Sequence, residues 1–138
     1  DKANEFYKSK NFVKAKELYL NILMHDPEHP QTNNNLGLTY RNLNEINKAI
    51  NCFKIALKRD DNYTIALNNL AKCLHEVDNI EDSVFYFEKS LKIDPNKKET
   101  YTEYAQTLFK ANQHEKALRY LNIGTGTIKF SQSDMSIT

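Results

Sequence analysis

Apolar residues recur along this chain at the period of an α-helix, in segments separated by polar residues. Between residues 36 and 43 the apolar positions fall on one helical stripe, Asn44 and Glu45 interrupt it, and a second stripe fills 46–57. The same alternation extends over most of the chain. It predicts eight helices, at 2–9, 12–25, 31–43, 46–59, 65–77, 80–93, 98–111 and 114–123.

Residues that favour turns separate these segments. Proline stops a helix because it cannot continue the backbone hydrogen bonds, and Pro27 and Pro95 follow the second and sixth segments. Within each helix pair the break falls on residues that tolerate a left-handed or turn conformation. These residues are Lys10 and Asn11, Asn44 and Glu45, Asp78 and Asn79, and Asn112.

Five sets of positions recur every 34 residues without insertion or deletion. Two sets are small throughout, two are large and apolar or aromatic, and one has proline at alternate members. The sets are Ala15, Ala49, Ser83 and Ala117; Ala3, Gly37, Ala71 and Ala105; Tyr19, Phe53, Phe87 and Leu121; Phe6, Tyr40, Leu74 and Leu108; and Pro27, Asp61, Pro95 and Lys129. The chain is therefore a repeat array.

The small positions allow two helices of one pair to approach closely. We expect Gly37 and Ala49 at the crossing inside one pair, and Phe53 filling the space toward the next pair. One pair cannot bury both of its faces, so the units must stack and the terminal units must differ from the rest.

The 34-residue spacing resembles the tetratricopeptide repeat (TPR) family, whose unit reads W-x2-L-G-x2-Y, then A-x3-F, A and P. The second unit has Asn33 in place of Trp and Asp61 in place of Pro, and it matches the pattern at Leu36, Gly37, Tyr40, Ala49, Phe53 and Ala56. The resemblance implies an all-α fold, a right-handed superhelical α-solenoid of antiparallel helix pairs. We expect a TPR array at 1–123, with units at about 1–29, 30–63, 64–97 and 98–123, and a non-helical tail or linker at 124–138.

In TPR arrays the first helix of each pair lines a concave groove, where partners lie as extended peptides or as helices. The resemblance therefore implies a protein-protein interaction scaffold that binds a peptide or protein segment. By position it places the following residues on the groove: Asn4, Tyr7 and Lys8; Asn34, Asn35, Leu38 and Arg41; Asn68, Asn69, Lys72 and His75; and Thr102, Glu103, Gln106 and Phe109.

The chemistry of these positions suits a peptide. Asparagine amides both donate and accept hydrogen bonds, so they can satisfy an extended backbone. Lys8, Arg41 and Lys72 favour acidic groups in the middle of the groove. For Asn35 and Asn69 the alternative is that they pack or cap the repeat.

One TPR subclass clamps the C-terminal carboxylate of heat-shock chaperones, and it uses a Lys and an Arg on the first helix of the third unit that forms the clamp. Ile65 and Asn69 stand at those positions when the count starts in the first unit, and Glu99 and Glu103 when it starts in the second. Acidic residues repel a carboxylate, so an adaptor of that type is disfavoured.

Composition and charge narrow the classes of partner. Lys and Arg total 19 against 18 Asp and Glu, a net charge of +1, which argues against nucleic acid and against an anionic membrane surface. No apolar run approaches the roughly 18–20 residues that span a bilayer, so we expect a soluble, cytoplasmic chain. Cys52 and Cys73 are isolated, and we expect both to be small buried residues.

Candidate catalytic groups do not combine into a site. His25 and His29 have a metal-ligand spacing, but Pro27 breaks the helix on which that spacing would act. Gly124 and Gly126 form a G-x-G without a preceding strand or a third glycine. No Ser or Cys lies in a nucleophile motif. We expect no enzyme activity from these residues, no metal and no cofactor.

The sequence leaves the helical period after Ile123. Ile128, Lys129 and Phe130 alternate like a short strand. This segment folding back, a second copy of the chain, or a downstream domain would cover the last helix pair. Two alternatives to a simple scaffold follow: the docking segment of a larger multidomain enzyme whose catalytic domain lies beyond Thr138, and a self-assembly module joined through the C-terminal end.

Overall fold

The computed structural model describes residues 1–126 and places eight α-helices there. The predicted all-α fold is confirmed, and the predicted helix ends differ from the observed ones by no more than two residues. The helices are α1 Lys2–Lys8, α2 Phe12–His25, α3 Pro30–Asn42, α4 Ile46–Arg59, α5 Thr64–Glu76, α6 Ile80–Ile93, α7 Lys98–Lys110 and α8 His114–Thr125.

Consecutive helices pack as antiparallel pairs, and each second helix also packs against the first helix of the following pair. First helices contact one another directly from α3 to α5 and from α5 to α7. Within residues 1–126 no second helix makes comparable contacts with another second helix. The first helices therefore lie on the inner, shorter side of the stack.

The turn inside each pair has one conformation that is used four times. A non-glycine residue with φ between 61° and 63° occupies it, and the next residue closes the end of the first helix with a hydrogen bond to a carbonyl five residues earlier. The left-handed residues are Lys10, Asn44, Asp78 and Asn112, and the closing bonds run from Asn11 to Phe6, Glu45 to Tyr40, Asn79 to Leu74 and Gln113 to Leu108, each at 2.9 Å. The predicted turn positions are confirmed.

The core of the described residues is a row of clusters, one at each boundary between units. The cluster between the third and fourth units is the largest. Its aromatic rings are in contact, with centroid distances of 5.8 Å for Tyr101 and Tyr120, 5.1 Å for Tyr104 and Tyr120, and 6.1 Å for Phe87 and Tyr104. The fourth unit is therefore held by aromatic packing more than the first.

The close crossing expected at Gly37 is present. A β-carbon on Gly37 would lie 2.6 Å from Cε1 of Phe53, well inside van der Waals contact. Phe53 is fully buried, and it shares a cluster with Leu70 and Leu74 of α5. Its ring thus fills space within its own pair as well as toward the next one.

The last helix extends further than the sequence predicts. Gly124 and Thr125 belong to α8, whereas the sequence predicts a non-helical tail from residue 124. The lack of a side chain at Gly124 explains this, because a β-carbon there would lie 2.4 Å from Oγ1 of Thr102 on α7. The helix ends at Gly126 in a left-handed conformation. The strand predicted at 128–130 lies outside the described residues.

Both cysteines are free and buried, as the sequence predicts. Burial raises the pKa of the Cys52 thiol to about 12 and that of Cys73 to about 11. Across residues 1–126, every helix is too short or too polar to cross a membrane.

Candidate functional site

The residues predicted to line the groove all lie on the first helices, but at different depths. Asn34, Asn68 and Asn69 are 3%, 5% and 8% exposed, so their side chains are directed into the stack. Lys8 and Gln106 are exposed. The remaining predicted residues are half-buried: Asn4, Tyr7, Asn35, Leu38, Arg41, Lys72 and His75, together with Thr102, Glu103 and Phe109.

Amide hydrogen bonds join neighbouring first helices along the inner side. Each uses one donor of an asparagine on one helix and an oxygen on the next. The bonds are Asn35 Nδ2 to Asn4 Oδ1 at 3.3 Å, Asn69 Nδ2 to Asn34 Oδ1 at 3.0 Å, and Asn68 Nδ2 to Thr100 Oγ1 at 3.1 Å. This geometry favours the packing role raised above for Asn35 and Asn69. Direct contact of Asn34, Asn68 and Asn69 with a ligand stays a prediction.

A hollow of about 210 Å³ opens between α1, α2 and α3, and we call it the N-terminal hollow. Asn4 Oδ1 accepts hydrogen bonds from the Tyr19 hydroxyl and from Asn35, which fixes the polar wall. The hollow is lined by Asn4, Tyr7, Lys8, Tyr19, Asn35 and Leu38. Apart from Tyr19, which comes from α2, these are predicted groove residues.

Two of the three predicted groove cations are already paired with acids of the next unit. Arg41 Nε donates to Glu76 Oε1 at 2.9 Å, and the hydrogen bond to Glu76 raises the pKa of Arg41. Lys72 Nζ lies 3.1 Å from Glu103 Oε2. Within the described part of the chain, Lys8 makes no ion pair. An acidic ligand in the middle of the groove would have to compete with Glu76 and Glu103.

The sequence contains a signal for these pairs that the repeat columns do not reveal. Arg41 and Glu76 are one repeat plus one residue apart, and Lys72 and Glu103 are one repeat minus three residues apart. Both separations place the two side chains at neighbouring levels of adjacent first helices. A search for opposite charges at these separations would have identified both pairs.

A second depression of about 140 Å³, the central hollow, lies between α3, α5 and α7. His75 Nδ1 is 2.7 Å from Thr107 Oγ1, and burial lowers the pKa of His75, so the imidazole is neutral at pH 7. The lining consists of Arg41, Lys72, His75, Glu76, Phe87, Glu103, Gln106 and Thr107.

His25 and His29, which share a metal-ligand spacing, have separate surroundings. Nδ1 of His29 accepts a hydrogen bond from the Thr32 amide at 3.2 Å and caps α3, whereas His25 is exposed at the end of α2. Within residues 1–126 no three His, Cys, Asp or Glu side chains gather around a point where a metal ion could be held.

Comparison of the sequence with models of known protein families identifies one kind of repeat. Two family models described as tetratricopeptide repeat match the chain, one at residues 30–63 and 65–97 and the other at 86–119. A comparison with curated protein sequences gives no match.

Solved structures share the fold. The first TPR of Spaghetti (RPAP3), bound to the HSP90 peptide SRMEEVD, superposes with a TM-score of 0.78 at 21% identity, over 80% of this chain and 88% of that chain. A crystal structure of MamA gives 0.85 at 21% identity, over 94% and 75%. MamA residues 41 to the end from Desulfovibrio magneticus RS-1 give 0.83 at 11% identity, over 90% and 70%.

At these identities the likeness concerns fold, and it confirms the α-solenoid of stacked helix pairs. The family models carry the assignment further, because they match the second unit, the third unit and much of the fourth. The chain belongs to the tetratricopeptide repeat family.

Proposed function

We propose that the inner face of the array binds an extended segment of a partner protein. TPR repeats are generally non-enzymatic interaction modules, and this fold supports a protein-protein interaction scaffold. One observation carries the proposal for this chain. The N-terminal hollow and the central hollow both lie on the inner side of the stack, where first helices contact one another.

The N-terminal hollow offers the mixture of groups that a peptide requires. Leu38 and the Tyr7 ring provide half-buried apolar surface, and Asn42 Nδ2 donates to the Tyr7 hydroxyl at 3.1 Å, which holds the ring in place. One N–H of the Asn35 side-chain amide donates a hydrogen bond to Asn4, and its carbonyl oxygen is left to accept one from a ligand backbone.

The acidic residues proposed for the partner would bind at the N-terminal end of the groove. Lys8 is exposed and forms no ion pair within residues 1–126, whereas Arg41 and Lys72 are already paired with acids. The RPAP3 domain that shares this fold binds an HSP90 peptide, which supports an extended peptide as ligand. We do not propose the C-terminal carboxylate of a chaperone as the ligand. Lys72 is already paired with Glu103, and the Asn69 side chain is buried in a hydrogen bond with Asn34.

The test is selection of a random peptide library on the 138-residue chain, followed by calorimetry on the selected peptides. The groove variant carries Lys8→Glu and Leu38→Asp. The control carries Lys58→Glu and Leu118→Asp, which make the same changes on exposed positions of the second helices α4 and α8. Circular dichroism checks that both variants stay folded.

We expect peptides with an apolar residue next to an acidic one, bound by the control as tightly as by the wild type. The groove variant should bind them at least about tenfold more weakly. Equal affinities for the two variants would remove the groove as the binding site.

A further inference from the structure

A third hollow, larger than the N-terminal hollow and the central hollow, lies outside the groove. It opens between the second helices α6 and α8, above α7, and has a volume of about 370 Å³. That volume is within the range of roughly 300–1,000 Å³ typical of ligand pockets. We call it the outer cleft, and its lining consists of Phe85, Glu88, Lys89, Leu91, Lys92, Tyr104, Lys116 and Tyr120.

The floor of the outer cleft is apolar and its rim is aromatic. Leu91, Tyr104 and Tyr120 are almost fully buried and form the floor. Phe85 stands at the rim, 58% exposed, with its ring edge-on to Tyr86 at a centroid distance of 5.1 Å. An apolar side chain from a partner would gain contact with both the floor and the rim.

The charges around the cleft are unbalanced. The Tyr104 hydroxyl donates to Glu88 Oε2 at 2.7 Å, and Lys116 Nζ lies 3.3 Å from the same oxygen. Glu88 is therefore compensated inside the cleft. Lys89 and Lys92 also line it, and neither forms an ion pair with another residue of 1–126. The cleft thus presents two uncompensated cations beside an apolar floor.

The Tyr104 hydroxyl and the exposed Phe85 ring are not required for stacking, because the preceding units stack without them. The position of Tyr104 is occupied by Leu70 one repeat earlier and by Leu36 two repeats earlier. The position of Phe85 is occupied by Asn51 in the preceding repeat. The units before it fold without a floor hydroxyl or an exposed aromatic rim. Both departures from the repeat meet at one cleft.

We propose that the outer cleft binds an acidic segment of a partner protein, with an aromatic side chain seated between Phe85 and Tyr120 and carboxylates facing Lys89 and Lys92. Charge complementarity selects this occupant, because a basic or neutral segment would leave both cations without a partner. The cleft is formed by second helices, so it is separate from the groove proposed above. Occupation of one site leaves the other open.

The experiment is an NMR titration of the ¹⁵N-labelled 138-residue chain. The probe is a blocked peptide in which phenylalanine is flanked on each side by two glutamates. Two matched probes replace the glutamates by glutamines or the phenylalanine by alanine. We expect the first probe to shift amides of α6 and α8 around the cleft, and each matched probe to bind roughly tenfold more weakly.

Protein variants locate the site. The double variant Lys89→Glu and Lys92→Glu should abolish the shifts, and Phe85→Asn, which introduces the residue of the preceding unit, should weaken them. The matched control is Lys54→Glu with Lys58→Glu, an equal change of charge on the exposed surface of α4, and it should bind like the wild type.

Three results would overturn the proposal. The first is the absence of shifts in α6 and α8. The second is equal binding of the acidic and the glutamine probes. The third is shifts of the same amides that depend on protein concentration without peptide, since these would assign the cleft to a second copy of the chain.

Discussion

Four residues hold a left-handed backbone in the turns, and they are unequally suited to it. Asn and Asp tolerate this conformation better than other non-glycine residues, and they occupy three of the four turns. Lys10 occupies the remaining one, with φ of 63° and an exposed side chain. Its turn therefore stores backbone strain that the other turns carry to a smaller extent.

We expect Lys10→Gly to stabilise the protein by about 0.5–1 kcal/mol, because glycine adopts positive φ without steric cost. The control is Lys54→Gly in the interior of α4, which should destabilise by about 1 kcal/mol. Urea denaturation followed by circular dichroism measures both changes. A fall in midpoint for both variants would show that the Lys10 turn is unstrained.

A methyl group added at Gly37 should be costly despite the better helix propensity of alanine. The new β-carbon would overlap the Phe53 ring, which is fully buried. Overpacking costs about 1–3 kcal/mol and alanine returns about 1 kcal/mol, so Gly37→Ala should destabilise by up to about 2 kcal/mol.

Combination of Gly37→Ala with Phe53→Leu tests this cause of the destabilisation. The smaller side chain removes the overlap, so the double variant should lose less stability than the sum of the single variants. Additive losses would place the cost elsewhere than at the ring.

The two buried thiols make stability fall at alkaline pH. Burial raises the folded-state pKa of Cys52 and Cys73 from 9.0 to about 12 and about 11. The unfolded chain therefore ionises first, and the stability present below pH 9 is lost as the pH rises through the folded values. We expect a loss of at least about 2 kcal/mol between pH 8 and pH 11.

The control for the alkaline loss is the double variant Cys52→Ala and Cys73→Ala, whose stability should change less over the same interval. Buried tyrosines such as Tyr104, whose pKa is also raised by burial, leave a residual slope. A slope identical to that of the wild type would exclude the thiols as its source.

At the scale of the helix, the asparagine side-chain hydrogen bonds between first helices should contribute more to stability than single surface contacts do. Asn69 is buried and its amide satisfies Asn34 on the neighbouring helix. We expect Asn69→Ala to destabilise by about 1–3 kcal/mol, because Asn34 Oδ1 then stays buried without a donor.

The double variant Asn34→Ala and Asn69→Ala leaves no orphaned amide at this place. Its loss of stability should therefore be smaller than the sum of the single losses, as measured by urea denaturation. A sum equal to the double-variant value would mean that the two amides act independently.

The helices and turns could be predicted because their causes are local. Apolar periodicity, the polar break before each second helix, and Pro27 and Pro95 each act over a few neighbouring residues. The groove could be predicted only by helix and face. Asn68 and Asn69 lie on the predicted helix but deep in the stack, and Arg41 and Lys72 meet Glu76 and Glu103. Depth and pairing depend on how adjacent units are offset, which the repeat columns do not encode.

At the scale of the whole molecule, stability should increase from the first unit toward the last boundary. The first helix has seven residues, of which Ala3 alone is buried, whereas the last boundary contains the largest cluster and its stacked rings. In a stack of repeats each unit depends mainly on its neighbours. We expect amide exchange to be fastest in α1 and slowest in the helices around the last boundary, as hydrogen exchange with NMR would measure. Uniform protection over the helices would contradict this order.

Ion pairs connect adjacent units on both edges of the array. Arg41 with Glu76 and Lys72 with Glu103 connect first helices along the inner edge, and Lys110 of α7 pairs with Asp78 in the turn that follows α5. On the outer edge, Arg59 at the end of α4 pairs with Asp26 at the end of α2, and Lys116 of α8 pairs with Glu88 of α6. The array is thus comparable to a spring whose coils are tied electrostatically along both edges, so salt, which weakens exposed ion pairs, should loosen the contacts between all of its units together.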